Sequence, residues 1–344
     1  MTVEELSPYL GRPVAVGDID RELKKLWEED EASTNASLMN FLVYTEDPKR
    51  LIENAKVVPA ISREHACRAV LIGMEREAAE AKVDSWINAN CHLAHGKKSI
   101  CSEQVSFLLR GKALGRLRNT VFAHLNSDLP LVFWWQGEFS NLFDERLYRI
   151  LDRLIFDSSE WENPTENFDK LLAARADTGC QMVTQDLSWT RSFHFRLALA
   201  ALMDDPTAQE AFPNVTRLKI SGNRKYHMAV KLLVAWVVEM AGWSRGLEGF
   251  RSAEGKDISL EVEWLTDSAP IAELKLEAPN FSATVTREKG GTHLYQTLCV
   301  GDHCVRASSP ADADTPAELV ASQLSRGGKN SLFLRVLPKF LELL

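Results

Sequence analysis

The pattern of apolar residues changes about two thirds of the way along this 344-residue chain. Up to about residue 245, continuous apolar runs such as residues 129–135 alternate with helical segments such as residues 141–151. After about residue 250, apolar and polar residues alternate strictly, as in residues 258–264 and 281–285. Continuous runs are typical of strands buried on both faces, and strict alternation is typical of strands with one wet face. The chain therefore combines two kinds of sheet.

The first pattern predicts an α/β domain over residues 1–248. Its sheet is expected to be open, mostly parallel and Rossmann-like, with helices on both faces. The apolar runs that predict its strands are residues 38–44, 69–73, 83–89, 129–135, 153–157 and 215–220. Residues 100–109 have strand character too, but the same stretch could open a helix.

The second pattern predicts a smaller α+β domain over residues 249–344, with an antiparallel sheet followed by helices. One helix is expected to begin at Thr315-Pro316-Ala317-Glu318, because this tetrapeptide supplies an N-cap, a first-turn proline and a capping-box glutamate. The last helical segment, residues 331–344, is expected to be interrupted by Pro338.

Charge and composition argue against several classes of function. The formal net charge of −8 and the lack of a basic tract disfavour nucleic acid as a partner. The acidic N-terminus has no apolar segment of the signal-peptide type, and the apolar run 232–238 is too short to span a bilayer. The six cysteines show no C-x-x-C pair and no zinc spacing. We therefore expect a cytoplasmic protein with mainly free thiols and no membrane partner.

A search for catalytic motifs favours a protein that is not an enzyme. No G-x-G-x-x-G follows a predicted strand, and neither a P-loop nor H-E-x-x-H is present. No recognisable motif pairs a nucleophile with a general base. We therefore expect no catalytic residues, no cofactor and no metal.

A cluster of ionisable residues precedes the strand predicted at residues 69–73. Arg63, His65 and Arg68 lie within six positions of one another, and such groups can bind a phosphate or a carboxylate. The alternative is a solvated loop that leads into the strand.

Two further clusters lie where predicted strands end. Trp134 and Trp135 complete the run 129–135, and Asp157 and Ser158 end the run that begins at residue 153. Ligand crevices in open α/β sheets form outside the carboxyl ends of the strands, and tryptophan is enriched at interfaces. We expect one indole to face away from the core and to be available to a partner. The alternative is that both rings are core or lid residues.

One cysteine pair is a candidate redox site. If Gly301-Asp302 forms a two-residue turn, Cys299 lies directly opposite Cys304 in the hairpin. The Cα atoms of such a pair are about 4.5 Å apart, near the short end of what a disulfide accepts. A bridge there would be strained and easily reduced, which suits a switch better than a staple. The alternative is two free thiols on a sheet face.

Six segments of this chain occur together, in this order and with this spacing, in one known family. They are residues 62–70, 101–105, 128–137, 153–159, 186–191 and 232–243. The chain thus resembles the OpcA family of glucose-6-phosphate dehydrogenase assembly proteins, although Ala66 stands where the family usually has proline and Phe195 where a tryptophan is expected. The resemblance implies a non-catalytic factor that assembles or allosterically activates glucose-6-phosphate dehydrogenase, the enzyme that controls flow into the oxidative pentose phosphate pathway.

Two other functions remain open from the residues alone. The first is an enzyme, such as a phosphosugar hydrolase or isomerase, that uses His65, Arg68, Asp157 and Ser158. It requires those groups to converge in one concave pocket. The second is a regulator that senses a phosphosugar without turning it over.

Overall fold

The structure is a computed structural model, which describes residues 2–29, 37–94, 97–179, 181–326 and 331–344. The chain forms two compact units, each assembled from two stretches of sequence. The first unit comprises residues 1–185 and 316–329, and the second comprises residues 186–315 and 330–344.

The helices are short to medium in length and are spread along the chain. In chain order they are α1 (Val3–Leu10), α2 (Ile19–Glu29), α3 (Arg50–Glu64), α4 (Leu117–Val121), α5 (Glu145–Tyr148), α6 (Pro164–Asp177), α7 (Leu187–Thr190), α8 (Phe193–Met203), α9 (Pro206–Ala211), α10 (His227–Ala241), α11 (Pro316–Ser325) and α12 (Ser331–Leu341).

The strands form two sheets. In chain order they are β1 (Arg12–Val14), β2 (Asn40–Thr45), β3 (Arg68–Glu75), β4 (Lys82–Ala94), β5 (Lys97–Arg110), β6 (Leu131–Trp135), β7 (Arg153–Phe156), β8 (Val183–Asp186), β9 (Arg217–Asn223), β10 (Ser244–Arg245), β11 (Phe250–Arg251), β12 (Asp257–Leu265), β13 (Ile271–Ala278), β14 (Phe281–Thr286), β15 (His293–Val300) and β16 (His303–Pro310).

The first sheet is mostly parallel, as predicted. Its strands lie in the order β1-β4-β5-β3-β2-β6-β7-β8. The neighbours from β5 to β7 are parallel, whereas β4 is antiparallel to β1 and to β5. From β2, successive strands are added in one direction through β3 and β5, and in the other through β6, β7 and β8. The order reverses between β2 and β6, so their carboxyl ends form the topological switch point of the sheet.

Burial explains the continuous apolar runs in the sequence of this sheet. Every residue of β2 and of β6 is buried. A strand can be apolar at every position only when both faces of the sheet are covered, because successive side chains point to opposite faces. The placement of helices on both faces, as opposed to other covering segments, stays a prediction.

The second sheet is mostly antiparallel, with strand order β10-β11-β12-β9-β13-β14-β15-β16. One pair departs from the expected pattern, because β9 and β12 run parallel. Helices α8 and α10 pack against the sheet. Buried and accessible residues alternate along β14, which confirms that the strict period-two alternation reflects one covered face and one wet face.

The division into units differs from the predicted domain boundary between residues 248 and 249. Strand β9, expected in the first domain, lies between β12 and β13 in the second sheet. Helix α10 packs on β9 and on α12, and α11 contacts α3 in the first unit. These placements depend on pairings between segments that are distant in sequence, and the local apolar pattern of residues 215–220 does not report such pairings.

Two helices are shorter than expected, and one is not interrupted where an interruption was expected. The helix predicted over residues 141–151 is reduced to α5, and the one predicted over residues 112–125 contains only α4 and turns of 3-10 helix. Helix α12 continues through Pro338 to Leu341. Within the described ranges, no helix has the length and apolar character needed to cross a bilayer.

Candidate functional site

Both tryptophans at the end of β6 are core residues. Trp134 is 4% exposed and Trp135 is 0% exposed. The ring of Trp135 packs 4.3 Å from Tyr44, and its Nε1–H donates to the carbonyl oxygen of Glu138 at 2.9 Å. The expectation that one indole faces away from the core is therefore wrong, because residues beyond the strand end fold back over it. A partner could contact neither ring without local unfolding.

The residues expected to form a solvated loop before β3 instead end a helix and begin a strand. Arg63 is exposed in the last turn of α3. The Nε2 atom of His65 lies 3.1 Å from the carbonyl oxygen of Ala321 and 3.2 Å from the hydroxyl of Ser325, both in α11. The side chain of His65 thus holds α11 against the end of α3, which is a structural role.

Arg68 begins β3 and is used in ion pairs. Its guanidinium lies 3.0 Å from Asp20 and 3.3 Å from Glu103. These contacts tie α2 and β5 to the start of β3. Together with His65, Arg68 therefore lies at the amino ends of the parallel strands.

Asp157 and Ser158 lie at the opposite edge of the sheet. Asp157 follows the carboxyl end of β7 and accepts a hydrogen bond from the backbone N–H of Ser159 at 3.1 Å, and Ser158 is fully buried. The five residues of β6 alone put about 16 Å between the two edges. His65 and Arg68 therefore do not converge with Asp157 and Ser158, and the pocket required by the enzyme hypothesis is not formed by these groups.

The structure instead brings polar residues together at the switch point. The carboxyl ends of β2 and β6 flank a crevice of about 760 Å³. Its lining residues come from the end of β2 and the segment up to the start of α3, from the segment after β6, and from the turn after β7: Thr45, Glu46, Asp47, Arg50, Gln136, Gly137, Glu138, Phe139, Ser140, Glu160 and Glu162. This is where open α/β sheets bind ligands, and it is the best candidate site in the first unit.

One wall of the crevice is a hydrogen-bonded network centred on Glu46. Arg76 donates to both carboxylate oxygens of Glu46, at 2.5 and 2.6 Å, and to the hydroxyl of Ser140 at 2.9 Å. The hydroxyl of Tyr44 donates to Glu46 at 2.6 Å. Burial would raise the pKa of Glu46, but the hydrogen bonds from Arg76, Ser140 and Tyr44 outweigh burial and lower it. Burial raises the pKa of Tyr44, so its phenol stays protonated.

The other wall is built around Glu160. Arg50 donates to both carboxylate oxygens of Glu160, at 2.9 and 2.5 Å, and these hydrogen bonds raise the pKa of Arg50. The backbone N–H of Gly137 donates to the same carboxylate at 2.9 Å. Gly137 has φ +83°, a conformation that favours glycine. At the floor, the side-chain amides of Asn54 and Gln136 exchange two hydrogen bonds.

The crevice does not fit a dinucleotide. Pyrophosphate sites of doubly wound sheets use a glycine-rich turn after the first strand and the N-terminus of the next helix. Here the turn between β2 and α3 contains Glu46 and Asp47 and has no glycine, and Asp47 Oδ1 accepts the N–H of Lys49 at 3.0 Å. Five of the lining residues are acidic, and one, Arg50, is basic. A phosphate would meet carboxylates where it needs donors and positive charge.

One segment of the chain has the spacing of a catalytic motif but not its structural setting. Gly242-Trp243-Ser244-Arg245-Gly246 has the G-x-S-x-G spacing of a nucleophile elbow. An elbow is a turn between a strand and a helix, but Ser244 follows α10 and forms the two-residue strand β10. The spacing is therefore incidental. In the part of the chain that the structure describes, no three His, Cys, Asp or Glu residues are placed to share a metal ion.

The cysteine hairpin has the predicted register. Cys299 lies directly opposite Cys304, the two Cα atoms are 4.2 Å apart, and the sulfur atoms form a disulfide. Cys304 is exposed on β16, the edge strand of the second sheet. Cys67 is a buried free thiol. Burial raises its pKa to about 12, so it forms little of the reactive thiolate at neutral pH. A redox role for the hairpin pair stays a prediction.

Two family models together match most of the chain. Residues 58–173 match the N-terminal domain described for a glucose-6-phosphate dehydrogenase subunit, and residues 182–337 match the corresponding C-terminal domain. No curated protein matches the sequence.

Two solved oxidoreductases have a similar arrangement of chain at 10% sequence identity. Aldose-aldose oxidoreductase from Caulobacter crescentus, crystallised with glycerol, gives a TM-score of 0.47 over 89% of this chain and 95% of that one. An oxidoreductase domain protein from Kribbella flavida gives a TM-score of 0.46 over 89% of this chain and 93% of that one. Likenesses at this level carry no argument about function.

Proposed function

The chain belongs to the OpcA family of glucose-6-phosphate dehydrogenase assembly proteins, and from that premise we propose that it is a non-catalytic accessory protein of this dehydrogenase. It acts by assembling the dehydrogenase or by activating it allosterically, in the cytoplasm, at the first step of the oxidative pentose phosphate pathway. Its partner is the dehydrogenase itself, and it uses no cofactor of its own.

The observation that carries the non-catalytic part of this proposal is the state of the switch-point crevice. Arg50 and Arg76, which could otherwise bind a phosphate, each make two hydrogen bonds to a carboxylate of the same chain. Freeing either guanidinium would leave a half-buried glutamate without its counter-charge, which is costly. The chain therefore fills the position where open α/β sheets bind ligands with its own ion-paired side chains.

The proposal is tested by titrating the purified protein into glucose-6-phosphate dehydrogenase from the same organism. We expect the dehydrogenase rate to rise with added protein until it saturates, and the mass of the dehydrogenase in sedimentation to increase over the same range. The protein alone is expected to reduce no NADP⁺ with glucose 6-phosphate. An unchanged rate together with an unchanged mass at saturating protein would contradict the proposal.

The first unit offers a matched pair of variants for locating the contact. Arg63 and Arg146 are both exposed helical arginines, and only Arg63 belongs to the cluster proposed as a partner surface. We expect Arg63→Glu to weaken the complex and Arg146→Glu to leave it unchanged. Equal affinities for both variants would remove the end of α3 from the contact.

A further inference from the structure

The second sheet presents an accessible polar face. Helices α8 and α10 pack on the face where Leu274, Ala283 and Leu294 are buried. The opposite face carries three side chains from each of six adjacent strands, β12, β9, β13, β14, β15 and β16, and these side chains align in three rows. We call it the open face. Its middle row, one residue per strand in that order, is Glu261, Lys219, Lys275, Thr284, Thr297 and Arg306.

The charges of the open face balance, although the chain as a whole carries a net charge of −8. The three rows contain four glutamates and four basic residues. Seven of these eight charges lie on β12, β9 and β13, and Arg306 is alone on β16. Two open faces can therefore meet without repulsion between net charges, although the chain as a whole is acidic.

The charged half of the face is paired internally, but its far edge is not. Lys219 lies 3.8 Å from Glu261 and 3.7 Å from Glu263, so one ammonium serves two carboxylates. Arg306 is exposed on β16 and has no carboxylate within ion-pair distance among the residues that the structure describes. The face thus has surplus negative charge along β12 and an uncompensated positive charge along β16.

We propose that the open face binds a second copy of this chain around a two-fold axis that lies in the interface and runs parallel to the strands. Such an axis stacks β12 on β16, β9 on β15, and β13 on β14 of the second copy. Glu261 then faces Arg306 of the second copy, and by symmetry Arg306 faces the second copy's Glu261. The Glu261 carboxylate of one copy meets the Arg306 guanidinium of the other, twice in each dimer.

The rest of the face is compatible with this axis. In the middle row, Lys219 faces Thr297 of the second copy, and Lys275 faces its Thr284. In the other two rows, every charged residue faces a serine, a threonine or a cysteine of β14, β15 or β16. No like charges oppose each other anywhere on the face.

The alternative two-fold axis, which lies in the interface and runs perpendicular to the strands, is unfavourable. It stacks each strand on its own copy, so that Lys219 faces Lys219, Lys275 faces Lys275 and Glu261 faces Glu261. Like charges in direct opposition across an interface are destabilising. The charge pattern therefore selects the axis parallel to the strands.

The dimer should be weak and reversible. Six strands at about 4.8 Å and three alternate positions per strand give a patch of about 600 Å² on each copy, at the low end of specific interfaces. The face is also polar, and its ion pairs are screened by salt. We expect a dimer whose population rises with protein concentration and falls at high ionic strength.

A charge exchange across the interface tests the proposal. In sedimentation equilibrium, Glu261→Arg and Arg306→Glu are each expected to raise the dimer dissociation constant by about tenfold, since each change creates two like-charge pairs. The double variant E261R/R306E restores both pairs with the charges reversed, and its dissociation constant should return to within about threefold of the wild-type value. Thermal melting of each variant verifies that the fold is intact.

Two controls make the result specific. Glu210→Arg makes the same charge change on the exposed surface of α9, outside the open face, and should leave the dissociation constant unchanged. Cross-linking reports the axis: Lys219 and Thr297 are three strands apart in one copy, about 14 Å, but face each other between copies. With a short bis-maleimide, the K219C/T297C variant should give a covalent dimer and the K219C variant should not.

Four results would overturn the proposal. One is a wild-type protein that stays monomeric at every concentration. A second is a dimer in which E261R/R306E is as weak as the sum of its single changes. The third is a cross-linked dimer from K219C alone, which requires the perpendicular axis. The fourth is that the charge variants weaken only the complex with the dehydrogenase, in which case the face serves that partner and self-association is excluded.

Discussion

The two sheets have the same number of strands and place their polar side chains in different ways. In the first sheet, the central strands β2 and β6 are buried throughout, and the polar residues gather beyond the strand ends, where ion pairs hold them. In the second sheet, polar residues occupy every other position along the strands and form an open face. A sheet covered on both faces can contact a ligand or a partner only at the ends of its strands. Here ion pairs within the chain occupy those ends. The second sheet binds with a face, so this chain is better suited to contacts with protein than with a small ligand.

The largest effect expected from this contrast concerns aromatic residues. Trp135→Ala removes a fully buried indole that packs on Tyr44, Phe139 and Phe143, and it should lower the free energy of unfolding by about 3–5 kcal/mol. The matched change on the open face, Tyr295→Ala, removes a side chain from a residue that is 54% exposed and should stay within about 0.5 kcal/mol. Denaturant unfolding measures both. Similar losses of stability for the two variants would mean that aromatic residues contribute equally at the strand ends of the first sheet and on the open face of the second.

The second effect concerns the disulfide on the open face. The Cys299–Cys304 bridge closes a loop with a sequence separation of 5, so reduction should lower the free energy of unfolding by at most about 2 kcal/mol. The hairpin already holds the two strands together, which reduces the stability that the disulfide adds. We also expect oxidised and reduced protein to activate the dehydrogenase differently, measured by its rate at saturating protein.

The Cys304→Ser variant is the control for this redox prediction. It should behave like the reduced protein and show no response to oxidant or reductant. A Cys304→Ser variant that responds to oxidant as the wild type does would show that the hairpin pair is not the switch. Peptide mapping after oxidation checks that the bridge has formed.

A third, smaller effect tests the closed ends of the first sheet. Because the pKa of Glu46 is lowered in the folded protein, its network stabilises the fold at pH values above the usual value of 4.5, and this stabilisation is lost as the pH falls through the folded-state pKa. Glu46→Gln should therefore cost about 1 kcal/mol at pH 7, because the pair is partly exposed. The difference between variant and wild type should shrink below pH 4.5. A difference that stays constant with pH would mean that the carboxylate charge contributes nothing.

Local patterns in the sequence were enough to predict much of this contrast. The continuous runs at β2 and β6 and the alternation along β14 follow from which faces are covered, and the register at Cys299 follows from a two-residue turn. The position of β9 could not be predicted, because its pairing with β12 and β13 joins segments that are distant in sequence.

The crevice was missed for a related reason. Glu46, Arg76 and Ser140 follow three different strands, and each is unremarkable in its own segment. Only the strand order brings them together. The exposure predicted for one tryptophan failed because Phe139 and Phe143, which come after the strand, cover Trp135.

The smallest effect expected is the response of the protein to a dinucleotide. A ligand that binds the native state raises the melting temperature, since it stabilises by RT ln(1 + [L]/Kd). The lining of the crevice is rich in carboxylates, and its one guanidinium, that of Arg50, is already bound to Glu160. We therefore expect NADP⁺ to leave the melting temperature unchanged, while the dehydrogenase measured in parallel gains stability. A melting temperature that rises with NADP⁺ in the wild type but not in Arg50→Gln would place a dinucleotide in the crevice. That result would remove the distinction drawn between closed strand ends in the first sheet and an open face in the second.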